Sequence, residues 1–277
     1  MQPNRIVLLV CLLAGRLYAE PGSADHLCHS TALTTPAAAL QSCSAAIGAG
    51  DRSNAELARL YNSRGIAHQA LQDLALALQD YDQAVRLDPR YSDAFGNRGT
   101  VYHAKGIYDR AIQDYSAAIR LNPRAQVAFR SRGIAHFCLG HFDEASSDLT
   151  AALDMDPADA FSAIWLYLAQ RKQERSPAVD LKGTAAKLKP GEWPVQVIEL
   201  FSGALPAKDY LNSLGDLDPA RDKLQRCEGL FFLAEYTLLS GDRAKAVEFF
   251  QAAIETRVTE DFEYTAALSE MRRLQKP

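Results

Sequence analysis

Residues 58–91 read ARLYNSRGIAHQALQDLALALQDYDQAVRLDPRY, residues 92–125 SDAFGNRGTVYHAKGIYDRAIQDYSAAIRLNPRA, and residues 126–159 QVAFRSRGIAHFCLGHFDEASSDLTAALDMDPAD. Laid over one another, the three segments of 34 residues agree column by column. Gly65, Gly99 and Gly133 share column 8; Ala77, Ala111 and Ala145 share column 20; Ala84, Ala118 and Ala152 share column 27; Pro89, Pro123 and Pro157 share column 32. Tyr81, Tyr115 or Leu149 stands between the alanines, which puts all three positions on one side of a 3.6-residue helix. A glycine in the preceding helix lets this second helix come close, against its own weak helix propensity. The proline ends the second helix, because the residue before a proline avoids the α region. Asp88, Asn122 and Asp156 hold that preceding position and favour turns. Each copy therefore predicts helix A, a short turn (Gly106 and Gly140 in two copies) and helix B.

A period of 34 with small residues in both helices and a closing proline resembles the tetratricopeptide-repeat family. The fold class this implies is all-α: a tetratricopeptide-repeat α-solenoid, with antiparallel helix pairs stacked in a superhelix. Stacking buries the apolar stripe that one pair alone leaves exposed, and it curves one side into a concave face. Binding rather than chemistry is the expected use of such a face.

Outward from the repeats, residues 20–57 predict an N-terminal loop and a capping half-repeat. Residues 20–36 read as the loop, with Thr35 as cap and Pro36 in the first turn of a helix over Ala37–Ile47. Ala39, Cys43 and Ala46 align there with Ala77, Tyr81 and Ala84. After the three repeats at 58–159, residues 160–226 are divergent helices. They comprise a fourth helix A from Ala160, a helix opened by Ser176-Pro177 and running to about Leu188, and shorter ones at Trp193–Phe201 and Pro206–Leu214. Asp218-Pro219 starts a long helix. Residues 227–277 return to the pattern, with Ala234, Gly241, Ala246, Phe250 and Ala253 in register. A final helix, Glu260–Leu274, carries Tyr264, Ala267, Leu268 and Met271 on one stripe that would cover the open end of the stack.

The net charge of −4 and the lack of a basic patch speak against nucleic acid as partner. Arg5, the apolar run Ile6–Ala14 and Ala19 read as a signal peptide over residues 1–19. Its removal takes Arg5 and Arg16 and leaves a charge of −6. No later stretch has the ~18 apolar residues of a membrane helix. Cys11 follows Val10 inside the apolar run and lacks the small preceding residue of a lipidated cysteine. An exported, periplasmic chain is the expectation. Export permits a Cys28–Cys43 disulfide, and closing a loop of ~15 residues is worth about 3 kcal/mol in the chain-entropy account. Cys138 and Cys227 read as buried apolar filler.

The second half carries a narrower resemblance. Trp165-Leu166-Tyr167-Leu168-Ala169 follows the third repeat; Trp193, Val197–Phe201 and Gly203 come next. Phe232–Tyr236, Leu239–Asp242, Glu263-Tyr264 and Ala267-Leu268 close the chain. In this order the segments are similar to the NlpI family of bacterial periplasmic adaptors, over about residues 40–275. The resemblance implies binding of periplasmic proteases and cell-wall hydrolases, a role in envelope maintenance and cell division, outer-membrane association and homodimer formation. The absent lipid-attachment cysteine is a departure from that family.

No chemistry-bearing motif competes. There is no nucleophile elbow, phosphate loop or His-Glu-x-x-His, so no catalytic residue, cofactor site or metal site is assigned. His26, Cys28 and His29 could ligate zinc, but the disulfide accounts for the cysteine. His68 and His136 take a packing column. Arg64, Arg98 and Arg132 in column 7 face Asp80, Asp114 and Asp148 in column 23; they predict a bidentate ladder between helices A and B, with a basic stripe for acidic ligands as the alternative. The columns that line the concave face place there Arg59, Asn62, Ile66, Gln69, Asn97, Thr100, His103, Arg130, Ile134 and Phe137. They make either a site for a protein or peptide partner, with Asn62, Asn97 and Arg130 holding its backbone or carboxylate, or an ordinary solvated groove. The expected function is a non-catalytic protein-binding adaptor. The alternatives are an envelope hydrolase with a site near Trp193 and a self-associating structural component.

Overall fold

Helices form every regular element among the described residues, which are 24–32, 34–189, 191, 193–215, 218 and 222–276 of a computed structural model. The expected signal peptide lies outside them. None of the helices described is long and apolar enough to cross a membrane. Contacts divide the chain into two compact units, Met1–Ala128 and Phe129–Pro277.

The first unit holds α1 (Ala24–Thr31), α2 (Pro36–Gly48), α3 (Asn54–Ala70), α4 (Leu74–Leu87), α5 (Ser92–Ala104) and α6 (Tyr108–Leu121). At its end begins α7 (Gln126–Leu139), most of which belongs to the second unit. Helices α3 and α4 are the first A/B pair and α5 and α6 the second. A Cβ on Gly65 would stand 2.7 Å from the Tyr81 ring, and one on Gly99 would stand 2.9 Å from Tyr115. The bare glycine is therefore the floor on which the tyrosine ring lies. Ala77, Tyr81 and Ala84 are fully buried on α4, and Ala39 and Cys43 on α2 are equally enclosed. Helix α2 thus repeats the helix-B face.

The N-terminal segment differs from expectation. Residues 24–31 are helix rather than loop, because Cys28 docks into a small core with Cys43, Ala46 and Leu60. Cys28 and Cys43 are joined as a disulfide, with Cα atoms 4.7 Å apart. Thr35 stands at the N-cap of α2 but its side chain makes no capping hydrogen bond; Pro36 supplies the start alone. Helix α3 opens instead on a capping box, in which Ser53 accepts from Glu56 N and Glu56 accepts from Ser53 N.

The second unit continues α7 and adds α8 (Phe142–Met155), α9 (Ala160–Lys172), α10 (Leu181–Ala185), α11 (Val195–Phe201), α12 (Ala207–Gly215), α13 (Lys223–Leu239), α14 (Arg243–Glu255) and α15 (Phe262–Gln275). A Cβ on Gly133 would stand 2.9 Å from Leu149. Helix α9 is a helix A without a helix B. The expected helix from Ser176 to Leu188 shrinks to five residues. Pro177 interrupts the segment, and the Asp180 side chain accepts from Gly183 N, so helix begins only at Leu181.

An aromatic core organises this unit. Trp165 is fully buried, edge-on to Phe137 at 5.0 Å and stacked on Phe231 at 5.2 Å, with Phe232 at 6.0 Å. Of the stripe foreseen for α15 only Ala267 is buried. Tyr264, Leu268 and Met271 are half-buried, whereas Glu263, Ala266 and Glu270 are buried beside Ala267. The reason is polar anchoring. Glu263 accepts from the Trp165 indole at 3.2 Å, Glu270 pairs with Lys172 at 3.1 Å, and Arg273 donates to the carbonyls of Phe137 and Cys138 at 3.0 and 3.2 Å. Arg273 thereby caps the C-terminal end of α7, where carbonyls lack intrahelical partners.

Candidate functional site

The inner face of helix A carries the residues assigned to partner binding, and the two units treat that face differently. In the first unit, Asn62 Nδ2 donates to the Tyr91 hydroxyl at 3.3 Å, and Asn97 Nδ2 donates to Asn62 Oδ1 at 2.9 Å. Asn62 and Asn97 are buried. They form an amide relay from α3 to α5, one rung per repeat. Gln69 Oε1 accepts from the Tyr81 hydroxyl at 2.9 Å. Thr100 Oγ1 accepts from the Tyr115 hydroxyl at 3.3 Å and donates to Gly96 O at 3.1 Å. A buried tyrosine hydroxyl needs such a partner. The same requirement explains the third repeat, where Leu149 replaces the tyrosine and columns 9 and 12 hold Ile134 and Phe137. His103 is buried, edge-on to Tyr108 at 5.0 Å, and burial pushes its pKa down to about 3, so it is neutral. Ile66 is buried.

Arg59 is half-buried and keeps accessible surface. Two residues of the same columns also keep exposed surface. Asp93 is half-buried and its carboxyl is pushed up by burial. Gly96 has nothing within 4 Å of the place a Cβ would take. Column alignment alone could have found both, since Asp93 is the counterpart of Arg59 and Gly96 of Asn62. Arg59, Asp93 and Gly96 thus keep accessible surface on this face, while the Asn62 and Asn97 amides are already hydrogen-bonded to each other.

In the second unit, Arg130, Ile134 and Phe137 are all buried. Arg130 Nη1 pairs with Asp159 at 2.5 Å, and Asp159 also accepts from Ser162 Oγ at 2.6 Å at the start of α9. Phe137 belongs to the aromatic core, and α15 lies against α7 and α9 through Arg273, Lys172 and Trp165. The chain's own last helix reaches Phe137, and Arg130 is engaged by Asp159.

The ladder of column 7 is present in all three repeats. Arg64 Nε and Nη2 meet Asp80 at 2.8 and 2.7 Å; Arg98 meets Asp114 at 2.8 and 2.7 Å; Arg132 meets Asp148 at 2.7 and 2.6 Å. Each guanidinium also lies over an aromatic ring of column 4, namely Tyr61 at 5.3 Å, Phe95 at 5.5 Å and Phe129 at 5.6 Å. Arg98 further bridges to Asp82 on the preceding helix B at 2.7 Å. Hydrogen bonding to Asp114 and Asp82 raises its pKa further. These arginines are committed to joining helices.

Of the zinc candidates, Cys28 is in the disulfide and His29 Nδ1 meets the Ser63 hydroxyl; the His26 side chain lies outside the described residues. Burial pushes the His136 pKa down, and His68 lies 3.8 Å from Asp80. Cys138 and Cys227 are buried thiols outside the disulfide.

Residues 62–125 match the family model described as tetratricopeptide repeat. A tetratricopeptide repeat protein from Parabacteroides merdae is similar in fold at 17% identity, with a TM-score of 0.57 over 83% of this chain and 92% of that one. YrrB, described as a tetratricopeptide protein with an unusual peptide-binding site, is 17% identical, with a TM-score of 0.41 over 78% and 92%. The first such domain of Spaghetti, solved with an HSP90 peptide, is 22% identical, with a TM-score of 0.43 over 45% and 99%.

Proposed function

We propose that this chain, whose fold is that of tetratricopeptide-repeat proteins, acts as a protein-binding adaptor without catalytic residues of its own. The observation that carries this reading is the inner face of the first unit. A rigid, internally satisfied amide floor supports a small accessible strip of opposite charges, Arg59 and Asp93, beside a glycine with open space above it. A partner segment docking there loses its own freedom but asks little reorganisation of the adaptor. Export through the 1–19 signal, a place in the bacterial envelope, recruitment of a periplasmic protease or peptidoglycan hydrolase and pairing into a homodimer extend the same reading on the NlpI-like order of aromatic segments.

Gly96→Trp tests the binding face. Nothing stands within 4 Å of the place a Cβ would take, so the melting temperature is expected to stay near wild type while capture of envelope proteins by crosslinking in cells is lost. Unchanged capture by a folded Gly96→Trp protein overturns the assignment of this face. Mass spectrometry of the mature N-terminus tests export and lipid attachment, with Glu20 as the expected unmodified first residue.

A further inference from the structure

Three features that the sequence singled out separately, Trp165, Trp193 and Glu263, meet around one group of acids. Glu228 lies on α13, Asp261 stands at the N-cap of α15, and Glu263 lies in its first turn. They are 5%, 1% and 3% exposed. One carboxylate oxygen from each lies within 4.8 Å of those of the other two. We propose that Glu228, Asp261 and Glu263 hold a divalent cation of the hard, oxygen-preferring class, with calcium as its first occupant.

The spacing suits such an ion. Calcium–oxygen bonds of about 2.3–2.6 Å put two ligands at most roughly 5 Å apart. Three buried carboxylates without a cation are expensive to ionise, so they must bind protons or a metal. Arg130 pairs with Asp159 and offsets only part of the charge of Glu263. The independent sign of a ligand is Oδ2 of Asp261, buried with no N–H or O–H donor on it, although the carboxyl also lies against Glu263 and the Cys227 thiol. Two indoles supply an outer shell. Trp165 Nε1 donates to Glu263 Oε1 at 3.2 Å, and Trp193 Nε1 donates to Glu228 Oε2. Donors that hold one oxygen of a carboxylate aim the other, as outer-shell partners do at metal sites. A soft metal is disfavoured. The neighbouring Cys227 thiol donates to Ala253 O at 3.6 Å, and burial pushes its pKa up to about 12, so it offers no thiolate.

Burial pushes the Asp261 carboxyl well up and raises that of Glu263, and the two groups lean on each other. A proton shared between them is therefore the rival occupant, and the experiment separates the two. The purified full chain, freed of metal by chelator, is titrated at pH 7.5 with terbium as a calcium stand-in, exciting the indoles. Trp165 and Trp193 touch two of the three acids, so the expected result is sensitised terbium emission that saturates at one ion per chain and is displaced by calcium. Calcium also raises the melting temperature by at least about 2 °C at saturation, by mass action on the folded state. Asp261→Asn abolishes both responses, and Glu228→Gln does so independently should the first variant fail to fold. No sensitised emission, or emission unchanged in a folded variant, overturns the proposal. So does a melting temperature that ignores millimolar calcium.

Discussion

Two glycines three residues apart on α5 have opposite meanings, and the difference lies in what surrounds each Cα. A Cβ on Gly99 would meet Tyr115 at 2.9 Å and the Asp114 Cβ at 3.2 Å; one on Gly96 would meet nothing within 4 Å. Gly99→Ala should therefore cost about 1–3 kcal/mol through overpacking. Gly96→Ala should add about 0.5–1 kcal/mol by its better helix propensity. Chemical denaturation of the two variants side by side reads both signs. The ladder makes a second prediction at this scale. Arg98→Ala leaves Asp114, 8% exposed at its side chain, without its bidentate partner, and should cost about 2 kcal/mol in the same measurement. The charged columns, the glycine column and the tyrosines were all legible from their period. That Gln69 and Thr100 answer the tyrosine hydroxyls was not read, although the change to Ile134 and Phe137 opposite Leu149 was open to view.

Among the elements, the A-to-B turn shows how far a repeat dictates backbone shape. Column 15 is left-handed in every copy described, with φ of +70 at Gly106, +83 at Gly140 and +93 at Gly241. Gln72 and Glu174 hold the same column with φ of 66 and 58, despite their side chains. Position just after helix A imposes this geometry, and glycine merely adopts it at lower cost. Gln72→Gly and Glu174→Gly should each stabilise by about 1 kcal/mol, seen as a shift in denaturation midpoint without a change in slope. Other elements were harder to read. Helix α1 forms from a short polar stretch because its cysteine is bound to α2. The capping box at Ser53 and Glu56 is legible by its spacing, a serine followed three residues on by a glutamate.

At the scale of whole units, regular repetition gives way to long-range anchoring. In the second unit Lys172 on α9 joins Glu235 on α13 at 2.9 Å and Glu270 on α15 at 3.1 Å. Burial raises the Glu235 pKa from 4.5 to about 7, against the pull of Lys172. The folded state then holds this proton more tightly than the unfolded chain between pH 4.5 and about 7, so its contribution to stability is present at low pH and lost as pH rises through that window. His103 works in the opposite sense. Its pKa falls from 6.5 to about 3, and its contribution is lost as pH falls below 6.5. Comparison with Glu235→Gln isolates the first effect. The melting temperature of wild type minus that of the variant should decline from pH 5 to pH 8, and a flat difference would remove Glu235 from the account.

The amino-acid sequence on its own determined the helices of residues 58–159, their pairing and the contacts inside each pair, because these depend on residues within one period of 34. Only the tertiary structure decided which inner face stays open. Arg273 reaches Phe137 across 136 residues and Glu263 reaches Trp165 across 98, and no local pattern encodes a meeting at such separation. The acidic group has the same origin. Glu228 and Asp261 stand 33 residues apart on different elements and come together only when α15 seats its charged side on the aromatic core.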